Sequence, residues 1–276
     1  MELLWQYKDK ADVVIIGSSR AQHGVAPMEL SEEFFGVNLA FIGNTLSGSE
    51  FLYDNYIIPH MSKVKYIVSS IDIDRGFNTF SGSFFNGRAK ICPGYVYDKD
   101  HNYWKDGYPE GLAELTYDSP GISSYANKYR QTRGLDSIPG ASVWEEMPQV
   151  DSDSNLYRRS PGSYRTNFNS LKKMVETAHE KGIYFIGVVF PQNPNYKKTG
   201  AFGRYGIPRS EAPILLQEIA DLSKTYPNFI LFDENKMGDH DYTGDMAYDR
   251  DHLAYPGAIH FTARLDSLLK ELPALK

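Results

Sequence analysis

Five short apolar runs, separated by segments with helical patterning, constrain the fold of this chain more than any other feature. They span residues 13–16, 36–39, 64–71, 183–190 and 229–232. Most are rich in β-branched residues, which is typical of buried strands. Strands that alternate with helices form a parallel sheet with right-handed crossovers. We therefore predict an α/β fold with three layers, in which helices cover both faces of the sheet.

Helices are expected between the runs and after the last one. Residues 28–35 are predicted to form a short helix, and residues 47–56 another, because Ser47 and Glu50 have the spacing of a capping box. An apolar stripe predicts a third helix that begins near Ser163 and ends at Gly182. Ser210 is expected to cap a fourth. The last helix is expected to begin near Pro256, with a strongly apolar face.

Residues 75–160 interrupt this alternation and are predicted to form an inserted cap or side lobe of one 276-residue domain. A structureless loop of this length is uncommon in a compact domain, so the insertion should pack. Its aromatic side chains either form its own small core or provide a platform for a substrate such as a sugar. The aromatic residues concerned are Phe84, Phe85, Tyr95, Tyr97, Tyr103, Trp104, Tyr108 and Trp144.

The segment from Ala11 to Pro27 places small polar residues directly after the first apolar run. Gly17 ends the run, and Ser18, Ser19 and Arg20 follow. The carboxyl edge of an open α/β sheet is where such folds bind ligands. A serine at that edge either caps the next helix or acts as a nucleophile if a histidine reaches it.

A D-x-x-H pattern, Asp249 to His252, stands just before the last predicted helix. Together with the G-S-S turn at Ser19, this pattern resembles the SGNH (GDSL-type) serine hydrolases. The resemblance implies that Ser19 is the nucleophile, His252 the general base and Asp249 the acid that orients it. It also implies a flavodoxin-like order for the five strands. Asp251 is adjacent to His252 and is the alternative orienting acid.

A second block of that family matches residues 37–45, where Gly43 follows Asn38 by five residues. The resemblance implies that the N–H groups of Ser19 and Gly43 form the oxyanion hole. Asn44 is a candidate pocket-lining residue beside it.

The third block departs from the family, which has an asparagine after the third strand. Here Asp72 or Asp74 takes that place, and an ionised carboxylate there would oppose a developing oxyanion. Arg20 is expected either to neutralise one of these carboxylates or to bind an anionic substrate group. Asp72 and Arg20 are therefore candidate site residues, and so is His23, with a turn or capping role as its alternative.

Composition restricts the partners. A net charge of −6 argues against nucleic acid, and no apolar run is long enough to cross a bilayer. Cys92 is the only cysteine, so no intrachain disulfide forms, and no cysteine or histidine pattern predicts a metal site or a cofactor.

The first ten residues lack a signal-peptide pattern, so the compartment is cytoplasmic unless a leader precedes them, in which case secretion or a bacterial periplasm fits. The oligomeric state is not predicted.

These observations favour a serine esterase that removes a small acyl group, such as acetyl, from a small-molecule or carbohydrate ester. The carbohydrate part of this hypothesis depends only on the aromatic insertion. An O-acyltransferase that uses a sugar hydroxyl instead of water is the first alternative. The second is a carbohydrate-binding protein that keeps the fold without turnover, which the altered third block favours.

His240 has a weak claim as another base, and His260 is expected to be a surface or packing residue.

Overall fold

The computed structural model describes residues 2–78, 128–140, 143–151 and 160–275. Five parallel strands form one sheet in the order β2-β1-β3-β4-β5. This is the flavodoxin-like order, in which the chain reverses direction across the sheet between β1 and β3. The predicted α/β fold and strand order are therefore confirmed.

The helices and strands alternate along the chain as the apolar runs predicted. The elements are α1 (Glu2–Tyr7), β1 (Val13–Ile16), α2 (Ser19–Gly24), β2 (Gly36–Asn38), α3 (Leu46–Leu52), α4 (Ile58–His60), β3 (Tyr66–Ser70), α5 (Pro161–Glu180), β4 (Tyr184–Val189), α6 (Ala212–Ala220), β5 (Phe229–Asp233) and α7 (Tyr255–Glu271). A π-helical turn, Tyr53–Ile57, joins α3 to α4. Short 3-10 turns span Pro27–Glu29, Val143–Glu145, Pro194–Lys198, Asp221–Lys224, Lys236–Gly238 and Gly244–Met246.

Apolar side chains bury both faces of the sheet, because neighbouring strand residues point to opposite sides. Val14 and Ile16 of β1 pack with α1, α3 and α5 in one core cluster. Val13 and Ile15 pack with α2 and α7 in the other. The sheet is thus the middle of three layers. No helix in the described ranges combines the length and apolar character that a membrane crossing requires.

Several local predictions were wrong. Residues 28–35 form no helix beyond the single turn Pro27–Glu29. Thr45, rather than Ser47, caps α3 by accepting a hydrogen bond from the Gly48 N–H at 3.4 Å. The Ser47 N–H instead donates to Asn167 of α5 at 3.0 Å, a contact between distant segments that short-range spacing does not contain.

The expected Ser210 cap is also absent. Helix α6 begins at Ala212, and its N-cap residue Glu211 makes no side-chain capping bond, while a proline occupies the first turn. A proline in the first turn has no N–H for a cap to satisfy, so the helix loses less stability when a side-chain cap is missing.

Most of the predicted insertion lies outside the described residues, including seven of the eight aromatic residues named above. Trp144 is described and is buried, with 3% of its surface exposed. It packs in the core cluster on the α2 and α7 side of the sheet.

Candidate active site

The turn between β1 and α2 presents Ser19 at the carboxyl edge of the sheet. Gly17 adopts a φ of 122°, and a Cβ there would lie 2.3 Å from Ser70 Oγ, so only glycine fits this turn. Ser18 then caps α2, because its hydroxyl accepts a hydrogen bond from the Arg20 N–H at 3.2 Å. The two serine roles weighed from the sequence are thus divided: Ser18 is the cap, and the Ser19 hydroxyl is left for another partner.

That partner is His252. The distance between Ser19 Oγ and His252 Nε2 is 2.7 Å, and His252 Nδ1 lies 2.8 Å and 2.9 Å from the two carboxylate oxygens of Asp249. A carboxylate only accepts hydrogen bonds, so Nδ1 carries the proton and Nε2 is the acceptor for the serine O–H. This is the hydrogen-bond order that a serine nucleophile and its general base require.

The Asp249 carboxylate also shapes its own loop. It accepts hydrogen bonds from the backbone N–H groups of Asp251 at 2.9 Å and His252 at 3.0 Å. Burial alone would raise the pKa of Asp249, but the hydrogen bonds from His252 and the Asp251 backbone hold it well below the ordinary value. Asp249 therefore stays ionised at neutral pH and can stabilise a protonated imidazole.

Asp251, the alternative orienting acid, is tied to arginines instead. One of its oxygens lies 3.4 Å from Arg20 Nη2 and the other 3.1 Å from Arg204 Nη1. The second oxygen is also 3.4 Å from His252 Nδ1, farther than either oxygen of Asp249. Asp251 is thus a secondary neighbour of the histidine and a bridge between two cations.

Arg20 is the centre of a buried polar network that joins helix α2 to the loops after β3 and β4. It contacts Asp74 at 2.6 Å and 2.8 Å, Asp72 at 3.1 Å and Gln192 at 3.0 Å. Burial alone would lower the pKa of Arg20, but Asp74 and Asp72 raise it well above the ordinary value. Arg20 was expected to neutralise Asp72 or Asp74 or to bind an anionic substrate group, and in the structure it contacts both carboxylates.

The loop that holds Gly43 lies against the same turn. The Phe41 N–H donates to Gly17 O at 3.1 Å, and Asn44 Nδ2 donates to that oxygen at 3.2 Å. Gly43 itself has a φ of 78°, a conformation that favours glycine. Ser19 is the first residue of α2, so its N–H has no partner within the helix. Both expected oxyanion donors therefore belong to segments that meet at Gly17.

After β3, Asp72 lies near the position where the resemblance noted from the sequence would place an asparagine. Asp72 uses one oxygen for Arg20 and accepts a hydrogen bond from Ser70 Oγ at 3.2 Å with the other. The charge that would oppose an oxyanion is thereby offset by a guanidinium and a hydroxyl.

His23 packs against His252. Its ring centroid lies 5.3 Å from that of His252 in an edge-on arrangement, and its Nδ1 donates to the Asp136 carbonyl oxygen at 2.9 Å. Burial lowers the pKa of His23, which keeps the ring neutral at pH 7. The candidate pocket-lining residue thus packs beside the His252 ring.

Sequence reasoning placed Trp144 among the aromatic residues of the insertion and missed its contact with Asp249. Its indole N–H donates to the backbone oxygen of Asp249 at 2.7 Å, which ties Trp144 to the loop that carries Asp249. No local pattern pointed to this contact, because the two residues are 105 positions apart.

The two other histidines considered do not reach Ser19: His240 Nε2 bonds to Gln192 O at 2.7 Å, and His260 Nε2 lies 3.9 Å from Asp241.

Asp249, Asp251 and His252 form a group with ligand atoms close enough together to hold a metal ion. Their ligand atoms are already used, since His252 Nδ1 bonds to Asp249 and Asp251 pairs with Arg20 and Arg204. Two guanidinium groups beside a carboxylate also repel a cation. The geometry therefore fits a hydrogen-bonded triad better than a metal centre.

Comparisons with known proteins leave the family open. Neither a protein-family model nor a curated protein matches the sequence. One similar solved structure is a Streptococcus pneumonia protein named as a platelet activating factor, with a TM-score of 0.49 and 11% identity over 97% of this chain and 91% of that chain. Another is a Bacteroides fragilis protein named as an acylhydrolase, with a TM-score of 0.47 and 13% identity over 95% and 88%. Similarity at this level assigns no activity to the chain.

Proposed function

We propose that this protein is a serine ester hydrolase of the SGNH type that cleaves a small acyl ester. The observation that carries the proposal is the 2.7 Å contact between Ser19 Oγ and His252 Nε2, with Asp249 on the other nitrogen of the ring. A serine hydroxyl is a weak nucleophile at neutral pH, and a neutral imidazole in this position removes its proton.

The chemistry follows from the hydrogen-bond order. Ser19 Oγ attacks the ester carbonyl carbon while its proton moves to His252 Nε2, and the carbonyl electrons move onto oxygen. When the tetrahedral intermediate collapses, the C–O bond to the alcohol breaks and His252 returns the proton to the leaving oxygen. Water then repeats the sequence on the acyl-serine and releases the acid.

The oxyanion would be stabilised by the backbone N–H groups of Ser19 and Gly43. One such donor is worth about 2.7–4 kcal/mol in a known enzyme. The family's third donor is replaced by Asp72, which its two hydrogen-bond partners neutralise only in part. We therefore expect slower ester turnover than a complete set of three donors would support.

The acyl group is proposed to be small, acetyl being the simplest. A carbohydrate alcohol remains a proposal that depends on the inserted aromatic residues, most of which lie outside the described ranges. One domain across residues 1–276, with residues 75–160 as an inserted lobe, likewise remains a proposal.

Active-site labelling tests the nucleophile. A fluorophosphonate should modify Ser19 once per chain, with the site read by peptide mass spectrometry, and Ser19→Ala should abolish both labelling and hydrolysis of para-nitrophenyl acetate. Ser18→Ala is the matched control, because Ser18 caps α2. This variant should still be labelled at Ser19. Labelling at another serine in an active preparation would contradict the assignment.

The same assay separates the alternatives. A sugar acceptor that increases para-nitrophenol release and yields an acetylated sugar would replace hydrolase by O-acyltransferase. Absence of both labelling and ester turnover in folded protein would support the carbohydrate-binding alternative.

A further inference from the structure

A small cavity with several polar side chains in its walls lies beside the turn that carries Ser19, at the carboxyl end of β3. Its polar walls come from Asn44, Thr45, Ser70, Asp72, Arg75 and Asn167. Ser70 Oγ accepts a hydrogen bond from the Ser18 N–H at 2.9 Å, and Asn44 Nδ2 donates to Gly17 O at 3.2 Å. Two walls of the cavity therefore contact the two residues that precede Ser19.

Most of these side chains are satisfied within the protein. Both oxygens of Asp72 have partners, one of which is Ser70. Thr45 caps α3, and the Asn167 amide makes three hydrogen bonds to backbone groups at 2.6–3.0 Å. These four residues build the cavity but have little left with which to bind a ligand.

Asn44 and Arg75 differ from the rest. Asn44 is 2% exposed, and its Oδ1 accepts no hydrogen bond, although its Nδ2 makes two. Arg75 Nε is buried and donates to no group. Buried polar atoms without a partner are uncommon in folded proteins, and two of them on one cavity require an explanation.

The Arg75 side chain is also held in place without a counter-charge. Its guanidinium lies over the Tyr205 ring, 4.9 Å from the centroid. Among residues 2–78, 128–140, 143–151 and 160–275, no carboxylate forms an ion pair with it, whereas Arg20 faces Asp72 and Asp74. Arg20 thus neutralises the charge of Asp72, and within the described ranges the Arg75 guanidinium has no carboxylate partner.

We propose that the cavity binds an anionic oxygen group of the substrate, a carboxylate or a phosphate, through Arg75. A hydroxyl of the same molecule donates to Asn44 Oδ1. A guanidinium presents a planar set of donors that matches either anion, and ring stacking orients that set in advance. The inference rests on the proposed function in one respect, which is that the bound anion belongs to the ester whose acyl group Ser19 accepts.

Paired esters test the preference for an anion. We would measure kcat/KM for 4-acetoxybenzoate, for its neutral analogue 4-acetoxybenzamide and for 4-acetoxyphenyl phosphate. A charged hydrogen bond corresponds to a preference of about tenfold or more, so the wild-type protein should favour at least one anionic ester over the amide by that factor. The two anionic esters distinguish a carboxylate site from a phosphate site.

Variants of Arg75 then locate the preference. Arg75→Gln should reduce the ratio of anionic to neutral ester to about one, and Arg75→Lys should keep part of it. Because both esters use the same nucleophile and base, any general loss of activity cancels in the ratio. Arg165→Gln is the control, since Arg165 lies on α5 and pairs with Glu218 on the surface. An unchanged ratio in Arg75→Gln overturns the inference.

A binding measurement separates this inference from the proposed function. Calorimetric titration of the Ser19→Ala variant with 4-acetoxybenzoate and with the phosphate ester should show binding that the added Arg75→Gln substitution removes. If the wild-type protein has no ester turnover but this binding is present, the proposed function fails and the anion site stands. If turnover is present without any binding or preference that depends on Arg75, the anion site fails and the esterase stands.

Discussion

Replacing Arg20 by methionine should destabilise this protein strongly, because it removes the cation from a buried cluster of carboxylates. Arg20 is 3% exposed and contacts Asp74 twice, Asp72 once and Asp251 once. Methionine fills much of the same space without a charge, so the comparison isolates electrostatics from packing.

The three carboxylates do not lose equally. Asp251 keeps Arg204 at 3.1 Å, and Asp72 keeps the Ser70 hydroxyl at 3.2 Å. Asp74 loses two short hydrogen bonds, and its side chain is 0% exposed. Removing one partner of a buried ion pair typically costs about 3–5 kcal/mol, so we expect a loss of that order in the free energy of unfolding.

Urea unfolding followed by tryptophan fluorescence measures this loss. With a denaturant slope of about 2–3 kcal/mol per molar, the midpoint should fall by about 1–2.5 M. Adding Asp74→Asn to Arg20→Met should recover part of the loss, because the unpaired charge is removed. Arg165→Met, which breaks a surface ion pair with Glu218, is the matched control and should cost at most about 1 kcal/mol. A cost for Arg20→Met as small as that of the control would refute the reasoning.

Two further predictions concern the histidines. His252→Ala should lower ester turnover by about 10⁴-fold or more. Asp249→Asn should lower it by a smaller factor, because Asp251 lies 3.4 Å from His252 Nδ1. Steady-state kinetics on para-nitrophenyl acetate compares the two variants, and equal losses would exclude a supporting role for Asp251. Burial lowers the pKa of His23 in the folded state, so below about pH 6.5 the unfolded chain binds more protons at this histidine than the folded protein does. The free energy of unfolding is therefore unaffected by His23 protonation above about pH 6.5. It declines as the pH falls towards the folded-state pKa of His23. His23→Gln should therefore reduce the loss of stability between pH 7.5 and pH 5.5, as read from urea midpoints, and an unchanged loss would contradict this assignment.

Sequence patterns predicted the parts of the fold that short stretches of chain encode. A buried strand is recognisable because its residues are apolar on both faces, as in Val13–Ile16 and Tyr184–Val189. Helix α5 was predicted from its apolar stripe and from the glycine at position 182. The helix ends at Glu180, and Gly182 just beyond it has a φ of 65°. Helix starts were less predictable, because Thr45 and Ser47 both suit a cap and a contact from α5 decides between them.

For the candidate site, the D-x-x-H spacing and the serine turn suggested which residues could meet, and their roles as nucleophile, base and acid stay predictions. The sequence alone left Asp249 and Asp251 as alternatives, because either residue is close enough along the chain to reach His252. The fold distinguishes them by bringing Arg20 and Arg204 to Asp251, which leaves Asp249 for the imidazole.

The sequence by itself determined the alternation of strands and helices, and with it the sheet edge at which Ser19 lies. Only the tertiary structure decided which charges pair, since Arg20 meets Asp74 across 54 positions and Asp251 across 231. Local propensity acts over a few residues, whereas a buried charge is stabilised by whichever partner the packed elements bring within hydrogen-bond distance. For the same physical reason, the missing partners of Asn44 and Arg75 became visible only when β3 and the loop after β2 were packed around one cavity.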